Sequence, residues 1–174
     1  MSRVVVVTGP PGAGKTTVAI PLAAGLGVPL ISKDAIKEAL LSSLGAADVA
    51  ASARLGRASY EVMFSLAQAA EVMVLESNFG PESCDRILAI SRSPIQIYCR
   101  CEPDEAIRRY SERTSKRHPG HFDEEMLEDI SERIRAEEFA PLALPGPTLE
   151  LDTTDLCDID AVIAWVEALP EWKT

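Results

Sequence analysis

Basic charge is scarce in this chain. Its 174 residues carry 17 lysines and arginines against 27 aspartates and glutamates, formally −10 at pH 7. The overall field therefore gives no non-specific attraction to nucleic acid or to an anionic membrane, and neither is expected as a partner. Long apolar runs are missing as well, since no stretch approaches the roughly 20 residues of a membrane span. Met1-Ser2-Arg3 runs straight into the first predicted strand, so no signal or transit segment is expected. The four cysteines, Cys84, Cys99, Cys101 and Cys157, do not form two pairs at zinc spacing. Cys99 and Cys101 flank Arg100 on a predicted strand and share a face, which suits reduced, near-core thiols in a cytoplasmic protein. Repeats and low-complexity tracts are absent. The length suits one α/β domain over residues 1–174 with a real hydrophobic core, and leaves little room for a second.

What is present is concentrated near the start. Val4 to Val7 are four consecutive β-branched residues, a buried central strand, and they lead into Thr8-Gly9-Pro10-Pro11-Gly12-Ala13-Gly14-Lys15-Thr16-Thr17. Gly9 to Thr16 fits the phosphate-loop spacing G-x-x-x-x-G-K-[ST]. Glycines let the backbone curl until successive N–H groups converge on a phosphate, and the following helix aims its N-terminal dipole at the same point. In this pattern Lys15 bridges the β and γ phosphates and the Thr16 hydroxyl ligates magnesium.

Downstream, strands and helices alternate. A helix is expected from Thr17 to Leu26, kinked at Pro21 and ended by Gly25 and Gly27. Val28 to Ile31 reads as a strand that delivers Ser32, Lys33 and Asp34 to its carboxyl end. Ile36, Leu40 and Leu44 mark one face of the next helix, with Asp34 at the N-cap position. Residues 45–52 read as a loop or a weak turn, and Arg54 to Val72 as a long helix whose Tyr60 and Phe64 belong to the core. Glu71 to Glu76 forms a third strand, ending in Ser77, Asn78 and Phe79 where open parallel sheets bind ligands. A helix over 82–90, a strand over 94–101, helices over 104–113 and 122–138, a strand over 148–151 and a helix over 159–169 complete the pattern. Helices then cover both faces of a parallel sheet.

A phosphate loop alone does not separate a kinase from a motor or a switch. No Asn-Lys-x-Asp segment reads guanine, and no second module or oligomerisation arm suggests a larger machine. Between Arg108 and Phe122, however, Arg108, Arg109, Arg113, Lys116, Arg117, His118 and His121 form a positive cluster in an acidic chain. It suits a lid over a transferring phosphoryl group, residues 108–124, with Arg109, Arg113 and Arg117 four apart. His118 and His121 lack an adjacent metal-ligand set and read as lid-shaping or phosphate-contacting residues.

The phosphate loop, Ser32-Lys33-Asp34, Leu55-Gly56-Arg57, Leu75 to Phe79 and Arg117-His118-Pro119-Gly120-His121 together resemble small P-loop kinases. The similar proteins are chloramphenicol phosphotransferase, the zeta toxins, gluconate kinase and nucleoside monophosphate kinases, many of which carry only an AAA-family ATP-binding label. The resemblance implies a three-layer P-loop NTPase fold with a five-stranded parallel sheet of order 2-3-1-4-5 and a small helical lid. It implies ATP and Mg2+, a small-molecule acceptor carrying a hydroxyl, and a monomer or weak homodimer. Gly9, Pro10, Pro11, Gly12, Ala13, Gly14, Lys15, Thr16 and Thr17 would hold the nucleotide phosphates, Arg109 and Arg113 would bracket them, and Arg117 would reach the transferred group. Asp152 and Thr153 would border adenine. Asp34 matches the carboxylate that activates the acceptor hydroxyl, beside its reading as a helix cap. Ser32, Arg54, Arg57 and Asn78 are the acceptor-side candidates. Glu76 holds a magnesium-bound water, orients the acceptor or is a solvated strand end, the longer acid departing from the Asp of many relatives. A nucleotide or nucleotide-sugar kinase, toxin-like activity included, and an ATP-dependent binding protein or switch remain the alternatives.

Overall fold

The structure is a computed structural model that describes residues 2–114, 118–155 and 157–173. Its frame is a five-stranded sheet, β1 (Arg3–Thr8), β2 (Leu30–Ser32), β3 (Val72–Glu76), β4 (Ile95–Arg100) and β5 (Thr148–Asp152). The order is β2-β3-β1-β4-β5, with every pairing parallel. Order and direction match the expectation from sequence.

The valine run explains why β1 is central. Successive strand residues point to opposite faces, so Val5 and Val7 enter one core while Val4 and Val6 enter the other. On the first face lie α1 (Lys15–Leu26), α7 (Ile159–Ala168) and the short α8 (Pro170–Lys173), with Val18, Leu22, Val162 and Val166 buried. On the second lie α3 (Val49–Ala69) and α4 (Cys84–Ile90), with Met63, Phe64, Ile87 and Ile90 buried. A third, smaller cluster of Ala106, Tyr110, Ile130 and Ile134 joins α5 (Pro103–Thr114) to α6 (Asp123–Arg135) at the carboxyl side of the sheet. α2 (Lys33–Leu44) packs against α3. No described helix is long and apolar enough to cross a membrane.

Several local expectations change. Ser32, not Asp34, caps α2: its Oγ accepts from the Ala35 amide at 3.4 Å, and the helix starts at Lys33. Asp34 thus lies in the first turn, where a carboxylate still suits the helix dipole. The row expected to face inward from α2 was Ile36, Leu40 and Leu44, yet Leu41 is buried and Leu44 is 70 % exposed. Residues 45–52 are not all loop, because Asp48 caps α3 by accepting from the Ala51 amide at 2.6 Å and the helix begins at Val49. The missed cue is a side chain–backbone bond that forms whether or not the following residues show apolar periodicity. Leu66 of α3 is half exposed. α1 continues through Pro21 to a left-handed Gly27 cap.

Candidate active site

The phosphate loop is held from both sides by backbone. Gly9 has φ 142°, and a Cβ there would come within 2.2 Å of the Cys99 carbonyl oxygen. Gly12 has φ 81°, and a Cβ would stand 2.0 Å from the Ala106 carbonyl oxygen of α5. Any side chain at either position collides with main chain, so these glycines serve close approach as well as curvature. Pro10 and Ala13 are buried, whereas Thr16 and Thr17 open onto a cavity of about 590 Å³ together with Pro11, Gly12, Gly14 and Lys15. Behind the loop the buried Cys99 thiol is pushed up to about 12, chiefly by burial, and so stays protonated.

Lys15 folds over its own loop, its Nζ donating to the Gly9 carbonyl at 3.0 Å and the Pro10 carbonyl at 2.8 Å. Burial pulls its pKa below the usual lysine range, opposed by the charges of Glu76 and then Asp34. Two of those counter-charges come from β3 and α2. Glu76 is 2 % exposed, so it is no solvated strand end. Its Oε2 accepts from Ser32 Oγ at 2.5 Å, and its Oε1 lies 3.4 Å from Thr16 Oγ1. A carboxylate and two hydroxyls grouped beside a phosphate loop are oxygen donors of the kind magnesium prefers, with room left for water and phosphate oxygens. Among the described residues no group of three or more His, Cys, Asp or Glu side chains is placed to hold a metal ion.

Asp34 lines the same cavity, its Oδ1 3.3 Å from Lys33 Nζ, and Asn78 lines it from the end of β3. Lys33 also sits 5.6 Å from the centre of the Tyr60 ring, and the Tyr60 hydroxyl bonds Ser77 Oγ at 2.9 Å. Tyr60 is thus core on one side and a prop for the β3 loop on the other. Arg54 and Arg57 are exposed on α3 and do not line the cavity.

The opposite wall comes from α5. Arg109 lines the cavity but is tied down: its guanidinium donates to Glu105 Oε1 at 2.7 Å, to the Thr153 carbonyl at 2.8 Å and to the Thr154 carbonyl at 2.6 Å. Glu105 is held at about 2 by its bonds to Arg108 and then Arg109. Arg113 lines the cavity too, and its buried Nε has no hydrogen-bond partner among the described residues. Its charge adds, as the smallest of the contributions, to the downward pull on the Lys15 pKa. Arg117 lies outside the described residues. Thr153 is buried beneath the loop, with its Oγ1 2.9 Å from the Ala13 carbonyl oxygen and 2.8 Å from the Arg100 carbonyl oxygen. Asp152 is exposed, pairs with Arg100 at 2.7 Å and does not line the cavity.

Sequence reasoning missed Lys37 and Glu38, which line the cavity one helical turn beyond Lys33 and Asp34. The i, i+4 spacing of the pairs was the available signal. It also missed Tyr110, Met126 and Ile130, apolar positions of the α5–α6 pair that face the same space.

A family model described as an AAA domain matches residues 4–136. A "putative kinase" from Chloroflexus aurantiacus J-10-fl superposes with a TM-score of 0.86 at 34 % identity, over 95 % of this chain and 97 % of its own. A sugar kinase from Janibacter sp. HTCC2649 matches at a TM-score of 0.56 and 18 % identity, covering 98 % of this chain and 97 % of the other. Shikimate kinase from Bacteroides thetaiotaomicron gives 0.54 and 21 %, over 95 % and 96 %. At those identities the last two speak for the fold. No curated protein matches the chain. With the family model spanning most of its length and the P-loop kinase architecture complete, the chain belongs to this AAA-domain family, in its kinase-like group.

Proposed function

We propose that the protein is an ATP- and magnesium-dependent kinase that phosphorylates a hydroxyl of a small molecule. The carrying observation is the unpartnered, buried Nε of Arg113, set near Lys15 in a cavity whose α2 wall presents Asp34. Two cations that repel each other across a cavity need an anion between them, and a phosphoryl group meets both.

The phosphate loop and the α1 N-terminus bind the nucleotide phosphates. Thr16 and Glu76 would hold the magnesium, Glu76 also keeping Ser32 in place. The bound metal supplies positive charge to the phosphate oxygens. Asp34 accepts the proton of the acceptor hydroxyl as its oxygen bonds to the γ-phosphorus and the bond to the bridging oxygen breaks, releasing ADP. Lys15 and Arg113 stabilise the charge on the transferring group. Arg109 fixes the Thr153–Thr154 backbone beside the loop, a role at the nucleotide's border more than at the phosphoryl group itself. α5 and α6 act as the lid that keeps water out. The setting is cytoplasmic, and the enzyme works as a monomer or weak dimer.

A coupled ADP-release assay across pooled sugars, nucleosides, nucleotides and amino alcohols tests this. At least one hydroxyl-bearing pool accelerates ADP release in the wild type and not in Lys15→Ala. ATP binding with no pool accelerating release would turn the assignment toward a nucleotide-dependent switch.

A further inference from the structure

The two histidines of the 118–121 turn are unassigned by the chemistry above, and one of them is buried. His121 is 3 % exposed, and its Nε2 lies 2.6 Å from Glu38 Oε2. A carboxylate only accepts, so Nε2 carries the proton. The other oxygen, Glu38 Oε1, accepts the backbone amide of His118 at 3.2 Å. One carboxylate from α2 therefore takes both ends of a turn 80 and 83 residues away.

The turn is stiff in itself. Gly120 donates to His118 Nδ1 at 3.1 Å, and the His121 amide donates to the His118 carbonyl at 3.0 Å. It also sits hard on α2 and the segment after it, for a Cβ at Gly120 would come 2.9 Å from Leu41 Cδ2 and 3.5 Å from the Ala46 Cβ. Glu38 and His121 both line the cavity, and Glu38 follows Asp34 by one helical turn on the same face.

We infer that Glu38 is a positioning residue for the acceptor: by clamping His118 and His121 it fixes the wall of the cavity beside Asp34, so that the acceptor hydroxyl is presented to that carboxylate and not to solvent. The inference rests on the kinase assignment, since it takes the Asp34 end as the acceptor's.

The test compares wild type, Glu38→Gln and His121→Asn, each first checked for native circular dichroism and for binding of a non-hydrolysable ATP analogue. Hydrogen exchange at the His118 and His121 amides reads the clamp without any acceptor. A hydrogen bond to a charged group gives about tenfold or more, so exchange there should quicken by about that factor in Glu38→Gln while the β1 amides do not change. With the acceptor found by ADP release, the acceptor KM should rise about tenfold in both variants and the ATP KM should hold within about twofold. Unchanged exchange at 118–121, or acceptor and ATP KM rising together, overturns the inference. Absence of any acceptor-stimulated turnover in the wild type overturns the kinase assignment and the acceptor role with it, whatever the exchange shows.

Discussion

The two ends of the cavity are built differently. At the nucleotide end one contiguous stretch, Gly9 to Thr17, supplies the phosphate loop, the cation and the candidate metal hydroxyl. At the proposed acceptor end Ser32 from β2, Asp34 and Glu38 from α2, Glu76 from β3, Asn78 just after it, Arg113 from α5 and His121 beyond it must meet through tertiary packing. Local spacing therefore specifies the first end, and the sheet order specifies the second. The difference predicts where substitutions act: at the nucleotide end through backbone fit, at the acceptor end through side-chain chemistry on an intact fold.

The sharpest break of the comparison is Gly12→Val. At φ 81° and with the Ala106 carbonyl 2.0 Å from a Cβ, the loop cannot keep its path. ATP binding is lost and the melting temperature falls steeply, to be read by calorimetry with and without nucleotide. Asp34→Asn should behave in the opposite way. Removing the proposed general base should lower acceptor turnover by about 10²–10⁴-fold while ATP affinity and melting temperature hold, as steady-state kinetics beside analogue titration will show. Equal loss of both would make Asp34 structural.

Thr153→Val blurs the boundary by attacking the local end from far away in sequence. It removes the single hydroxyl proton placed between the Ala13 and Arg100 carbonyls, so stability should drop by about 1–3 kcal/mol in urea unfolding, with a modest loss of ATP affinity. The smallest effect belongs to the half-buried Glu105. Its folded pKa of about 2 lies below the ordinary 4.5, so its pairing with Arg108 and Arg109 supports the native state above pH 4.5 and fades as pH falls toward 2. Glu105→Gln should therefore melt below wild type at neutral pH, and the two should converge in acid.

This asymmetry also explains what could be read in advance. The sheet order came from the P-loop resemblance, and the strand positions came from dense apolar runs such as Val4 to Val7, which need no knowledge of partners. Lys15 and Thr16 stood out because their neighbours in sequence are their neighbours in space. Glu38 did not, for its two partners lie on the 118–121 turn, and its i, i+4 spacing from Asp34 was the one local sign of it. Arg109 was legible as a cation in the right place, yet its bonds to Glu105 and the Thr153–Thr154 carbonyls depend on how β5 ends beside α5. The start of α3 was hidden because Asp48 caps a first turn of small residues with no apolar stripe.

The central claim is that phosphorus moves from nucleotide to an acceptor held at the Asp34 end. The most direct measurement supplies ATP labelled with ¹⁸O in its γ-phosphoryl group to the acceptor pools and follows the label by mass spectrometry. The account predicts a product heavier by one labelled phosphoryl group, formed by the wild type, nearly absent with Asp34→Asn and absent with Lys15→Ala. Label confined to inorganic phosphate or to intact ATP, with every acceptor unchanged, would contradict it.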